Sequence, residues 1–243
     1  MVNFFNWGKL SEQLQAPARV LFPPLCRLCG DPGSTAIDLC PSCLASLPWN
    51  NSACPRCALP MHHEEWHCRC NHAVWNFASA TIPLVYESPV AALISGFKYH
   101  GRLADGQLLG KILARQLKAS GHHLPQCLIP LPLHSTRLRQ RGFEQTAELA
   151  RAICLEISNI TIARILNRSR ATLQQSQLAA TQRYGNVRGV FAVNPKLPLP
   201  DHVALLDDVV TTGATVQSAA QELLHAGAKR VDLWAVARAR IDY

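Results

Sequence analysis

From about residue 76 onward, short apolar runs alternate with segments of helical period. Residues 203–206 are hydrophobic at every position, the pattern of a strand buried on both faces of a parallel sheet. Val216, Ala219, Ala220, Leu223 and Leu224 then recur at helical spacing, and Gly227 sits where a C-terminal cap is expected. Residues 231–236 read as another buried strand. Upstream, residues 78–86 predict a strand, 89–118 one or two helices, and 127–131 a short apolar strand. A helix beginning near Gly142 carries Ala147, Leu149, Ala150, Ile153 and Leu155, and residues 160–166 predict the next strand. Residues 167–188 form a polar stretch rich in Arg and Gln, and a loop of that length inside a compact domain has a function or is mobile. The whole predicts an α/β fold with a parallel sheet flanked by helices.

The strand at 203–206 ends in two carboxylates, Asp207 and Asp208, followed by Thr211-Thr-Gly-Ala-Thr215 at the mouth of the next helix. Open parallel sheets bind ligands at this end of their strands. Phosphate favours N–H groups and hydroxyls at a helix N-terminus, and ribose hydroxyls favour carboxylate acceptors. Gly213 lets the backbone curl around a ligand where a Cβ would interfere. A single Asp or Thr here could merely end a strand or cap a helix. Two adjacent like charges repel, and capping needs only one of them. Neither Gly-x-x-x-x-Gly-Lys-Ser/Thr nor a Gly-x-Gly-x-x-Gly after a strand is present.

The first 75 residues follow a different pattern. Cys26-x₂-Cys29 is followed ten residues later by Cys40-x₂-Cys43, and Cys54-x₂-Cys57 ten residues later by Cys68-x-Cys70. The halves repeat at an offset of 28 residues, with the last knuckle one residue tighter. Two such knuckles complete a closed structural zinc site, and an all-sulfur shell leaves no position for a catalytic water. The expected pairing is sequential. The ten-residue gap between Cys43 and Cys54 leaves a cross-braced pairing open. His62, His63, His67 and His72 lie near enough to replace a sulfur at the second site, though solvated loop positions are the expected reading for them. Cys127 and Cys154 stand apart and suit small buried positions.

The expected organisation is therefore an N-terminal segment at 1–22, a double zinc ribbon at 23–75 and an α/β domain at 76–243. The first segment carries Phe4, Phe5 and Trp7 and has the makings of a short amphipathic helix. It could pack on its own domain or touch a membrane surface or a partner. No apolar run is long enough to span a membrane, and the first residues lack a signal peptide's apolar core, which predicts a cytoplasmic protein.

The formal charge of +8 invites a nucleic-acid reading. Two Cys₄ zinc sites would each carry about −2, which brings the metallated chain near +4. The distribution says more than the total. Arg137, Arg139, Arg141, Arg151, Arg164, Arg168, Arg170, Arg183 and Arg188 crowd the middle of the chain, opposed there by Glu144, Glu148 and Glu156. Arginine suits diphosphate because its fork donates two parallel bonds to phosphate oxygens. Arg137 and Arg141 follow a strand, and Arg168, Gln175, Arg183 and Asn186 on the long polar stretch could close over a ligand.

The segment Val203-Ala-Leu-Leu-Asp-Asp-Val-Val-Thr-Thr-Gly-Ala-Thr215 resembles the 5-phosphoribosyl-1-diphosphate (PRPP) motif of type I phosphoribosyltransferases. With the four knuckles, Phe97-Lys-Tyr-His-Gly101, Pro130-Leu-Pro-Leu-His134 and Arg141-Gly-Phe-Glu-Gln145, the chain resembles the ComF/GntX family over nearly everything beyond residue 20. The resemblance implies a type I phosphoribosyltransferase-like sheet behind a double zinc ribbon. It implies that Asp207 and Asp208 bind the ribose 2′- and 3′-hydroxyls and that Thr211, Thr212, Gly213, Ala214 and Thr215 wrap the 5′-phosphate. Mg²⁺ would accompany PRPP, and transfer would displace pyrophosphate from ribose C1 through an oxocarbenium-like state, on an acceptor that no motif specifies. The family also implies natural competence, with single-stranded DNA and the DNA-uptake machinery as partners. Glu144 stands where the family pattern has Asn, and a carboxylate beside a diphosphate must turn away from it or bind Mg²⁺.

Overall fold

The computed structural model describes residues 24–34, 36–61, 68, 70, 75–121, 123–168 and 189–240. The expected segment 1–22, the four histidines between 62 and 72, and Gln175, Arg183 and Asn186 lie outside the described residues. The chain divides into two compact units, Met1–Leu47 and Pro48–Tyr243.

In the first unit, main-chain bonds from Cys26 N to Asp31 O (2.7 Å) and from Gly30 N to Cys26 O (2.9 Å) close a knuckle. Cys40 caps the short helix α1 (Pro41–Ala45), its sulfur accepting from Cys43 N at 3.4 Å. The second unit repeats the knuckle: Cys54 N donates to Leu59 O and Ala58 N to Cys54 O, each at 2.9 Å. At the equivalent turn position Gly30 has φ +83° and Ala58 has φ +54°. A left-handed alanine is strained, and burial offsets the strain. The Ala58 methyl joins the main core of the second unit, while Asn50 Nδ2 donates to Ala58 O at 2.8 Å and Ile82 O at 3.1 Å.

The main sheet belongs to the second unit and is parallel throughout. Its strands are β1 (Ser79–Thr81), β2 (Leu84–Val85), β3 (Cys127–Pro130), β4 (Thr161–Ile162), β7 (His202–Val210) and β8 (Arg230–Arg238). The order is β1-β8-β7-β3-β4, with β2 also pairing β8. Parallel strands need long crossovers. Those are supplied by α2 (Val90–His100), α3 (Leu103–Ala119), α4 (Ser135–Arg141), α5 (Gln145–Glu156) and α6 (Ala214–His225). β5 (Leu166–Arg168) and β6 (Phe191–Val193) form a separate antiparallel pair. The central strands are buried on both faces, as their uninterrupted apolar sequence requires. Helices α3 and α5 approach closely at Gly110, where an added Cβ would lie 2.6 Å from the Ala152 methyl. Among the described residues no helix is long and apolar enough to cross a membrane.

Four boundaries differ from the sequence expectation. The strand expected over 78–86 is two pieces separated at Pro83, which has no N–H to give the ladder. The run 160–166 also splits, with Thr161 and Ile162 joining the main sheet and Leu166 beginning the antiparallel pair. Gly142 does not open a helix; it ends α4 at φ +77°, and α5 starts at Gln145. The acidic pair does not follow its strand but lies within it, because β7 stays paired with β8 as far as Val210.

Candidate functional site

Helix α6 enters at Gly213, which serves as its N-cap in the left-handed conformation, with φ +82°. Thr212 is buried and its hydroxyl accepts from Ala214 N at 3.4 Å, so the loop is held partly by its own side chain. The strand end and this loop form the floor of a cleft of about 280 Å³. Asp207, Asp208, Thr211 and Thr215 line it, and Arg137, Arg141 and Arg168 face them. A niche of about 20 Å³ shares Asp207, Thr211 and Thr215 with the cleft and reaches Gly213. Thr212 and Ala214 are buried in the loop behind these surfaces.

The two carboxylates are not equivalent. Asp208 is paired with Lys98 of α2 at 2.8 Å, and its Oδ1 accepts from Val209 N at 2.7 Å. Asp207 accepts from Asp208 N at 2.8 Å. Burial, and then the charge of Asp208, push Asp207 up to about 7, against the opposing pull of Lys98 and Arg168. Burial works against the Lys98 ammonium, yet Asp208 and Asp207 hold it above the usual lysine value. Arg168 is lowered, first by burial and then by Arg137. Acids and bases thus crowd a small, partly dry space, as sites that bind polyanions and hydroxyls together require.

The arginine side is braced as well. Arg141 Nη1 donates to Gln145 Oε1 at 2.9 Å and its guanidinium lies 5.0 Å from the Tyr99 ring centroid. Gln145 is 1% exposed, and its Nε2, on a residue lining the cleft, has no partner among the described residues. Thr146 Oγ1 donates to Leu131 O at 2.8 Å, tying α5 to the end of β3. Glu144 turns away from the cleft: its Oε1 accepts from Leu133 N at 3.1 Å and its Oε2 lies 3.8 Å from Arg164. The substituted carboxylate therefore braces the loop after β3.

Lys98, Tyr86, Tyr99 and Gln145 line the cleft without having been assigned roles from sequence. Lys98 left a faint signal, as a cation directly after the apolar stretch that ends at Phe97.

The cysteines group as Cys26, Cys29, Cys40 and Cys43, and as Cys54, Cys57, Cys68 and Cys70, with ligand atoms within 4.8 Å of one another in each group. The pairing is therefore sequential. Tetrahedral zinc with Zn–S near 2.3 Å sets sulfurs about 3.8 Å apart. Cys29–Cys40 and Cys57–Cys68 are 3.7 Å apart and Cys54–Cys70 3.4 Å, so both sets fit structural zinc. Metal analysis of the purified chain is expected to return about two Zn²⁺ per chain; one or none would contradict the double site.

Residues 18–71 match the double zinc ribbon domain family. Glutamine PRPP amidotransferase from B. subtilis, complexed with ADP and GMP, aligns structurally at a TM-score of 0.35 and 19% identity, covering 54% of this chain and 26% of that one. The chain thus spans about a quarter of that enzyme's length. Competence protein F of Haemophilus influenzae is 29% identical over 213 residues, covering 83% of this chain and 90% of the relative. The DNA utilization protein YhgH of Salmonella typhimurium is 30% identical over 223 residues, 89% of this chain and 97% of the relative. With that likeness sustained over nearly the full length of both chains, this protein belongs to the ComF/GntX family.

Proposed function

We propose that the cleft binds PRPP, or a phosphorylated ribose of the same shape, in a cytoplasmic protein serving natural competence and DNA utilisation. The observation that carries this is the acidic pair standing beside the Thr211–Thr215 loop at one strand end, opposite three arginines. Asp207 is the principal acceptor for the ribose hydroxyls, since Asp208 is already held by Lys98. The loop at 211–215 takes the 5′-phosphate at the start of α6. Arg137, Arg141 and Arg168 take the diphosphate, with Gln145 Nε2 as an additional donor. Mg²⁺ fits as an ion brought by the diphosphate, because it binds through one or two carboxylates plus substrate phosphates and spreads the leaving charge. The names of the relatives, DNA utilization protein and competence protein, support the biological setting.

A second ligand class is favoured by the cleft's rim. Tyr99 is 65% exposed beneath the Arg141 guanidinium, and Tyr86 is 38% exposed, so aromatic and basic groups meet at the opening. That combination suits stacked bases on a polyanionic strand. Calorimetric titration of the zinc-loaded chain with Mg-PRPP is expected to give saturable one-to-one binding below about 1 mM. The absence of saturation would overturn the PRPP assignment. Single-stranded oligonucleotide affinity is expected to fall steeply between low and moderate salt, and a flat response would remove DNA from the reading.

A further inference from the structure

Arg238 ends β8 and is 1% exposed, among the largest fully buried side chains of the described residues. A guanidinium out of water must be met by acceptors. Its Nε donates to Cys57 O at 3.1 Å, and its Nη1 to Val210 O at 3.0 Å, to Ala239 O at 3.3 Å and to Thr211 O. One side chain therefore joins a main-chain carbonyl of the second zinc knuckle to the last residue of β7 and the first of the phosphate loop. C=O and N–H point in opposite directions across a trans peptide. Holding the carbonyls of Val210 and Thr211 against Arg238 thus turns the N–H groups of Thr211 and Thr212 away from it.

Two other contacts run between the same parts. Trp75 packs against the cluster of Cys54, Cys57, Cys68 and Cys70, and also against the main core. Its ring fills the space beside Gly213, where a Cβ would come within 2.7 Å. Asn76 N donates to Gln217 Oε1 at 2.9 Å, in the first turn of α6. The knuckle, the loop and the helix start are thereby braced at three points.

We propose that Arg238 is a positioning residue for phosphate binding, fixing the loop at 211–215 to the Cys57 knuckle so that zinc at the second site sets that loop's affinity. This rests on assigning the loop to the 5′-phosphate. The positive charge behind the loop also favours a dianion in front of it.

Two probes separate the loop from the arginine side: ribose 5-phosphate, which needs the loop, and inorganic pyrophosphate, which needs Arg137, Arg141 and Arg168. Arg238→Lys keeps the charge but cannot span four carbonyls. Carrying its full zinc, this variant is expected to bind ribose 5-phosphate about tenfold more weakly, consistent with losing charged hydrogen bonds. Pyrophosphate affinity should stay at the wild-type value, whereas general damage to the fold would weaken both. Cys70→Ala, which opens the second zinc shell, should give the same selective loss, and the double variant should add little to it. Unchanged ribose 5-phosphate binding in Arg238→Lys, or equal loss of both probes, overturns the proposal.

The wild-type chain supplies an arm that needs no variant. Stripping its zinc with a chelator is expected to raise hydrogen exchange at 211–215 while the amides of β3 keep their protection. Unchanged exchange in the loop overturns the proposal. A wild-type chain that binds pyrophosphate but neither ribose 5-phosphate nor PRPP overturns the loop assignment and this proposal with it. Selective loss or its absence in the variants tests the Arg238 linkage and leaves the loop assignment untouched.

Discussion

Replacing Asp207 and Asp208 together by Asn is expected to abolish Mg-PRPP binding in calorimetry, a loss of about 100-fold or more. Each carboxylate that accepts from a hydroxyl makes a charge-assisted bond of about 1.5–3 kcal/mol, and an amide offers one oxygen and no charge. Unchanged affinity would sink the assignment of the acidic pair. Asp207→Asn alone should have a second effect, of opposite sign. Asp207 titrates near 7 in the folded chain and near the ordinary carboxylate value of about 3.9 once unfolded. Its neutral form therefore stabilises the fold fully below about pH 4, and that contribution is lost as the pH climbs through about 7. Asparagine stays neutral at every pH. The variant should melt higher than the wild type by roughly 3–6 °C at pH 8, and by less at pH 6. A variant that melts lower at pH 8 would show that Asp207 supports the fold and has no share in the strain of a binding site. Loss of binding with gain of stability is the mark of a group kept for its ligand.

Gly213→Ala carries the second large effect. The position has φ +82° at the N-cap of α6, and an added Cβ would lie 2.7 Å from Cζ3 and 2.9 Å from Cη2 of Trp75. The conformation alone costs about 1–3 kcal/mol, and moving Trp75 adds about 1–3 more. Trp75 is packed on two sides, so it has little freedom to yield. The loop must give way instead, and binding of PRPP and ribose 5-phosphate should fall by about 100-fold with a clear drop in melting temperature. Gly227→Ala is the matched control. Gly227 has φ +113° and nothing within 4 Å of its ideal Cβ, so it should lose stability without losing ligand affinity. Wild-type binding by Gly213→Ala would dissociate this loop from phosphate.

Much of the site was legible because it is local. Asp207 to Gly227 cover a strand end, a loop and one helix, and their periodicity and glycines predict the observed α6 and a tight curl of backbone at Gly213. The cysteine repeat likewise favoured the sequential pairing, which the grouping of the sulfurs decides over the cross-braced one. The reading weakened where distant segments decide. Pro83 breaks a run that hydrophobicity alone made continuous, and the split at 160–166 depends on which sheet each half joins. Lys98 belongs to the cleft only because α2 brings it against Asp208, more than a hundred residues later in the chain. Arg238 was the hardest to see. It lies 181 residues from Cys57, and its only mark in the sequence is a cation at the end of an apolar strand. No spacing rule links a last-strand arginine to the carbonyls of a zinc knuckle.

The strained alanine at residue 58 has a consequence for how such chains can be recombined. Its methyl sits in the core beneath the sheet, and Asn50 bonds its carbonyl and that of Ile82 together. The second ribbon is thus sewn into the sheet domain by a residue that its own turn would prefer to be glycine. A hybrid that took both ribbons from one relative and the sheet from another, joined near residue 76, would import a mismatched piece of hydrophobic interior. A junction between Leu47 and Pro48 leaves that interior with a single parent. The repeated sequence looks like two copies of one cassette, but the second copy cannot be exchanged as one.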